Sequence, residues 1–256
     1  MKTRLGRLTT TPVTTAEEVR VFFDRFAPDY SEQHGSPQRM LRFRLKLIKE
    51  WAHPGLEDVV LDLGCGTGHH LMALHPHIGQ GIGIDFSRVM IEIAKERLEY
   101  SGGNGNLTFR TDDARILSTV QDRSVDLAMC IGSLEHMLDQ DAVLRHAYRV
   151  LKPGGRFVCL TPNGNYIWYR LLAPWLGLDT RHLSTDRFLT EPEFGRLLAE
   201  SGFQSIDMGR WSFVPRGDLH PLVGSVLVLL GTAGRLLGMK DFQGGLMASA
   251  VKGERT

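Results

Sequence analysis

The chain has 256 residues, 42% of them hydrophobic, and 30 Lys and Arg against 29 Asp and Glu give a formal charge of +1. That is enough apolar material for one core of a doubly wound type. The absence of a long basic run argues against a nucleic-acid substrate, whose phosphates call for clustered Lys and Arg. Cys65, Cys130 and Cys159 fall in or beside expected buried strands, and an odd number of them fits reduced thiols in a cytoplasmic compartment. The opening residues 1–7 carry charge but no apolar run, so no signal peptide is read.

Residues 16–25 read as an N-terminal helix, followed by a loop that ends at Tyr30. Arg42, Arg44, Lys46 and Lys49 then alternate with Leu41, Phe43, Leu45, Leu47 and Ile48, the pattern of a helix with a solvated basic face. Residues 59–63 are apolar apart from Asp62 and lead into Gly64-Cys65-Gly66-Thr67-Gly68. His69 and His70 follow, and then the apolar run 71–74. The order is buried strand, tight turn, helix N-terminus, where a close approach of ligand to backbone is expected. A dinucleotide fingerprint places a third glycine where this chain has His69. Residues 81–86 form a second apolar run ending in Asp85 and Phe86, and an acid about 20 residues past the glycine turn is placed to accept ribose hydroxyls. Ser87 fits a helix cap for the helix expected over 89–100.

A third strand, 107–111, runs into Asp112-Asp113-Ala114. A fourth, 125–131, ends in Cys130 and Ile131 and exits through 132–136. A helix, the turn Lys152-Pro153-Gly154-Gly155 and a fifth strand follow.

These ordered motifs resemble the class I S-adenosylmethionine-dependent methyltransferases, in particular the branch acting on quinones, sterols and secondary metabolites. The stretch D-L-G-C-G-T-G matches the family's first motif, and R-V-L-K-P-G-G before strand five is very typical of it. The resemblance covers residues 17–214 and the last strand. It implies an α/β fold, a Rossmann-like doubly wound seven-stranded sheet, mostly parallel with an antiparallel last strand and helices on both faces. It also implies S-adenosyl-L-methionine as cofactor, held by Asp62, Gly64, Cys65, Gly66 and Gly68, by Asp85 and Phe86, by Asp113 and Ala114 with Asp112 as the fallback for adenine, and by Cys130 and Ile131. Tyr30 occupies the place where a family tyrosine closes over the methyl donor.

The whole of 1–256 reads as one such domain, with 161–190 and 215–245 as insertions forming a substrate cap. Residues 219–234 carry no charge and are short for a membrane span, so a core helix, a substrate lid and a weak peripheral lipid contact through 219–238 all stay open. Trp168, Trp175 and Trp211 lie in or beside the insertions, as aromatics around the mouth of a pocket for an apolar small-molecule acceptor would. His136, after strand four, and His182, in the first insertion, are the candidate catalytic bases. Glu135-His136 matches the end of a metal-holding Glu-x-x-Glu-His segment of quinone-pathway relatives, but Gly132 stands where the first Glu would be, so no metal is expected. The alternatives are a nicotinamide-dependent oxidoreductase, a non-catalytic subunit that binds the same cofactor, and a protein of this fold doing decarboxylation or cyclisation. The acceptor and the oligomeric state are not legible.

Overall fold

A computed structural model describes residues 10–29, 37–103, 105–212 and 221–254. Seven strands form one sheet: β1 (Val59–Leu63), β2 (Gln80–Asp85), β3 (Leu107–Thr111), β4 (Val125–Ile131), β5 (Leu151–Pro162), β6 (Phe203–Trp211) and β7 (Gly245–Lys252). Their spatial order is β3-β2-β1-β4-β5-β7-β6. The first five pair in parallel, and β7 runs antiparallel to both β5 and β6, as the sequence led us to expect. The order reverses between β1 and β4, which opens a crevice beyond their carboxyl ends, where open α/β sheets bind ligands.

Each strand alternates its side chains between two cores. Val60 points with Leu71, Ile91, Leu127 and Val158 to one face, where Ile48 and Ala52 of α2 (Pro37–Ala52) pack. Its neighbour Leu61 points with Leu63, Leu144, Phe157 and Phe194 to the other. Helices begin where caps satisfy their free N–H groups. Thr15 and Glu18 form a capping box on α1 (Ala16–Phe26), and Thr190 and Glu193 form one on α7 (Glu191–Glu200). Ser87 caps α4 (Arg88–Tyr100) and Asp139 caps α5 (Gln140–Val150). The short α3 (His69–Leu74) starts at Gly68, whose φ of 81° is left-handed. Lys252, at the end of β7, donates to the carbonyls of Tyr148, Arg149 and Leu151 and so closes the end of α5.

Both insertions leave the same edge of the sheet. Pro162 pairs with Gly245, Asn163 N donates to Gly244 O, and Asn163 Nδ2 donates to Gln243 O. The first insertion contains a π-helical turn (Trp168–Leu172) and the single turn α6 (Ala173–Trp175). The second contains α8 (Pro221–Leu236).

The described residues of α8 leave one face open: Val226 is 52% exposed, Leu229 69% and Leu236 81%, while Gly231 and Gly234 approach Phe242. One expectation needs correction here: Arg44 is not on a solvated face. Arg42, Lys46 and Lys49 are exposed, whereas Arg44 turns inward, half-buried, because it lies four residues from the buried Ile48 on the same side of α2. Among the described residues no helix is long and apolar enough to cross a membrane.

Candidate active site

The glycine turn after β1 is built from backbone that only glycine adopts without strain. Gly64, Gly66 and Gly68 have φ of 70°, 52° and 81°. Gly64 N and Cys65 N both donate to Ile84 O, which locks the turn to the end of β2. Asp85 secures it from the other side: its Oδ2 accepts from Gly66 N at 2.8 Å and its Oδ1 from Ser87 N at 2.8 Å. Burial pushes the Asp85 carboxyl up to about 6, against those hydrogen bonds and with a contribution from the charge of Asp24.

Beyond the carboxyl ends of β1, β2 and β4 lies an open pocket of about 780 Å³. Gly64, Gly66, Asp85, Phe86, Asp112, Asp113, Ala114 and His136 line it, together with Gly132, Ser133 and the α1 residues Ala16, Val19 and Phe23. The other singled-out residues lie off the lining. Asp62, Cys65, Cys130 and Ile131 are buried in the strands or the turn, and Gly68 sits against Phe109. Past β4 it is Gly132 and Ser133 that reach the pocket. Ser133 Oγ donates to Leu63 O at 2.8 Å and lies 3.2 Å from Cys130 Sγ. Tyr30 lies outside the described residues.

The two acids after β3 have different environments. Asp112 spends both oxygens on its own loop, accepting from Asp113 N, Ser118 N and Oγ, and Thr119 N and Oγ1. These bonds outweigh burial and hold its carboxyl below the usual range. Asp113 is paired with Arg115, whose Nη2 is 2.6 Å from Oδ2.

Asp62 is the odd group. It is 1% exposed, neither carboxylate oxygen has a hydrogen-bond partner among the described residues, and burial with the nearby charge of Asp85 pushes it up to about 8. Arg44 is its counterpart of opposite sign. Its Nε is buried without a partner among the described residues, and its guanidinium lies against Gly132, where a Cβ would sit 3.0 Å from Nη2. Asp62 thus lies near the end of β1 and the Arg44 guanidinium at the exit of β4, the strand that pairs with β1. Sequence periodicity hid Arg44 among basic neighbours; its place one helical turn before Ile48 was the usable signal.

His136 enters the pocket from the turn after β4. Its Nδ1 lies 2.7 Å from Asp186 Oδ1. Asp186 is itself fixed, because its Oδ2 accepts from His182 N and Leu183 N. Burial alone would lower the His136 pKa, but the Asp186 hydrogen bond and the charges of Glu135 and Asp186 raise it. The same pair holds Asp186 below its ordinary value despite burial. The second histidine, His182, meets His136 edge-to-face at 5.8 Å between ring centroids and is not part of the lining. Asp186, which no sequence pattern singled out, is the residue that orients the ring.

The described roof of the pocket is α1, tied down by Ser87 Oγ donating to Asp24 Oδ1 at 2.5 Å. Among the described residues of the two insertions none is on the lining. The first insertion acts from behind, through Asp186 on His136 and through its stitching to the N-terminal segment, where Thr11 N donates to His182 O and Ser184 N to Thr11 O. Nor do the tryptophans ring the mouth: Trp168 and Trp211 are buried in their own surroundings and Trp175 is 83% exposed. Among the described residues no group of three or more His, Cys, Asp or Glu is arranged to hold a metal.

Residues 60–155 match the model of a methyltransferase domain family. A demethylmenaquinone methyltransferase of Lactiplantibacillus plantarum is 28% identical, over 76% of this chain and 91% of the relative. Another, of Lactococcus lactis, is 34% identical over 56% of this chain and 58% of its own length. Among solved structures, that of the 4+2 cyclase SpnF superposes with a TM-score of 0.71 over 96% of this chain and 100% of the other, at 22% identity, a likeness of fold alone.

Proposed function

We propose that the chain is a class I S-adenosylmethionine-dependent methyltransferase that methylates a small, apolar or aromatic acceptor with His136 as the base. The observation that carries this reading is the His136–Asp186 pair, opening into the same pocket as Asp85 and the glycine turn.

The residues present fit the cofactor. Asp85 has spent one acceptor site on each oxygen and keeps the others for a ribose diol. Asp113, with Ala114 and Phe86 beside it, offers a carboxylate and apolar walls to the adenine. The orphaned carboxyl of Asp62 suits the methionine ammonium, and the guanidinium of Arg44 suits the methionine carboxylate. S-Adenosylmethionine supplies, when bound, an electrophilic methyl group on a good leaving group.

The chain's own tasks are therefore alignment, water exclusion and proton removal. Val19 and Phe23 of α1 cover the pocket with apolar surface. Asp186 at Nδ1 holds the His136 ring so that Nε2 is left to accept a proton from a hydroxyl, amine or acidic carbon of the acceptor. His182 supports that ring by an edge-to-face contact and by its backbone N–H bond to Asp186.

The test is turnover of a panel of phenols, hydroquinones and other apolar acceptors with labelled S-adenosylmethionine. Methyl transfer to one of them that falls about 100-fold or more in His136→Ala supports the reading. Full turnover by that variant would remove His136 from the chemistry.

A further inference from the structure

Helix α8 carries an apolar stripe turned to solvent. Val226, Leu229, Ala233 and Leu236 recur at the spacing of one helical face and are all exposed. Leu237 and Met239 continue the stripe past the helix end. From 219 to 240 the only charged residues are Arg235 and Lys240, both cationic.

A second surface lies beside it. Arg39, Arg42 and Lys46 are exposed along one face of α2, and Glu50 lies 3.6 Å from Lys46. The two surfaces are joined through a chain of contacts. Phe43 of α2 meets Trp211 at 5.7 Å between centroids, and Trp211 packs on Gly245, its partner in β7. Gly245 follows the turn that holds Phe242, against which Gly231 and Gly234 of α8 rest. Leu171, Trp175 and Leu176, also exposed, belong to the insertion that leaves the sheet at the same point.

We propose that the face formed by the α8 apolar stripe and the α2 basic stripe docks on an anionic phospholipid surface. At 16 residues α8 is about 24 Å long, too short to span a hydrocarbon core of about 30 Å. A helix with an apolar face and cationic flanks lies in the interface plane instead. A second copy of the chain fits less well, because a two-fold pairing would bring the α2 cations of both copies toward each other. Nucleic acid would leave the leucines exposed.

Flotation of the full chain with phosphatidylcholine vesicles, with and without phosphatidylglycerol, tests this without any turnover. It therefore stands or falls separately from methyl transfer. We expect the chain to float with the anionic vesicles and to bind phosphatidylcholine alone about tenfold more weakly. Leu229→Glu with Leu236→Glu, and separately Arg42→Glu with Lys46→Glu, should each weaken binding about tenfold or more. All four positions are exposed and off the pocket, so a retained thermal shift with S-adenosylmethionine shows that the variants fold. A chain that stays at the bottom with both vesicles would overturn the proposal. So would variants that float like the parent, or a dimer in sedimentation equilibrium that the leucine pair dissolves.

Discussion

Asp62 and Asp85 sit at the ends of neighbouring strands, and the charge of Asp85 adds to burial in keeping the Asp62 carboxyl protonated, up to about 8. In the unfolded chain that carboxyl titrates near 4. Between those values the folded state holds the extra proton, so this group costs stability that grows as pH rises, to about 4 kcal/mol at pH 7. Asp62→Asn removes the titration. The free protein should gain a few degrees in Tm at pH 7–8, and the gain should vanish toward pH 4. Calorimetric melts across that range check it.

The same carboxyl makes cofactor binding pH-dependent. Holding an ammonium requires Asp62 to ionise, so binding expels a proton and strengthens as pH climbs from 6 to 8, up to about tenfold per unit. Asp62→Asn should flatten this slope and weaken binding about tenfold or more. Titration calorimetry in buffers of different ionisation enthalpy reads the released proton directly. Binding whose strength does not change with pH would take Asp62 away from the ammonium.

Asp186 should act on rate through His136. A base must be neutral to accept a proton, so turnover should rise with pH through the raised pKa of His136. Asp186→Asn lowers that pKa, which moves the rising limb to lower pH while the plateau drops about 10–100-fold as ring orientation loosens. Stability follows with the opposite reach. A histidine whose folded pKa exceeds its unfolded value of about 6.5 stabilises fully below that value and loses the contribution as pH rises through the folded one. The variant should therefore be most destabilised in acid. A pH–rate profile with the same limb as the parent would leave Asp186 a purely structural role.

The order of the first five strands, the glycine turn, Asp85 and the Ser87 cap were legible because each has a local signature: an apolar run, a φ that glycine alone tolerates, a short spacing. The antiparallel β7 also followed from the resemblance. What sequence could not give depends on contacts between distant segments. Asp186 is 50 residues from the ring it orients. Arg44 has the same composition around it as its exposed neighbours, and only the burial of Ile48 one turn later turns it inward. For α8, an apolar run looks the same whether its partner is a core or nothing at all in the chain.

Arg44 offers a separable test of the cofactor site. Arg44→Ala should raise the KM for S-adenosylmethionine about tenfold or more with a smaller change in kcat, since the contact forms in the ground state and persists. Arg44→Lys keeps the charge but not the planar fork and should recover only part of the loss. Removing a guanidinium whose Nε is buried without a partner should not lower Tm, which separates this effect from misfolding.

Gly64 is where a single methyl group should disturb both stability and binding. Its φ of 70° lies in the left-handed region, which costs a residue with a Cβ about 1 kcal/mol. The added carbon would also stand 2.7 Å from Ser133 Cβ and 2.9 Å from Ser133 Oγ. Ser133 cannot yield freely, because its hydroxyl is bonded to Leu63 O and lies against Cys130 Sγ. Either the turn or the exit of β4 must move, and both are pocket walls. Gly64→Ala should lower Tm by several degrees and weaken S-adenosylmethionine binding about tenfold or more. Gly102 provides the control, with φ of 92° and open space around it. Gly102→Ala should cost about the same backbone strain and leave the cofactor affinity unchanged. Equal losses of affinity in the two variants would mean that strain alone, and not the contact with Ser133, shapes the pocket wall.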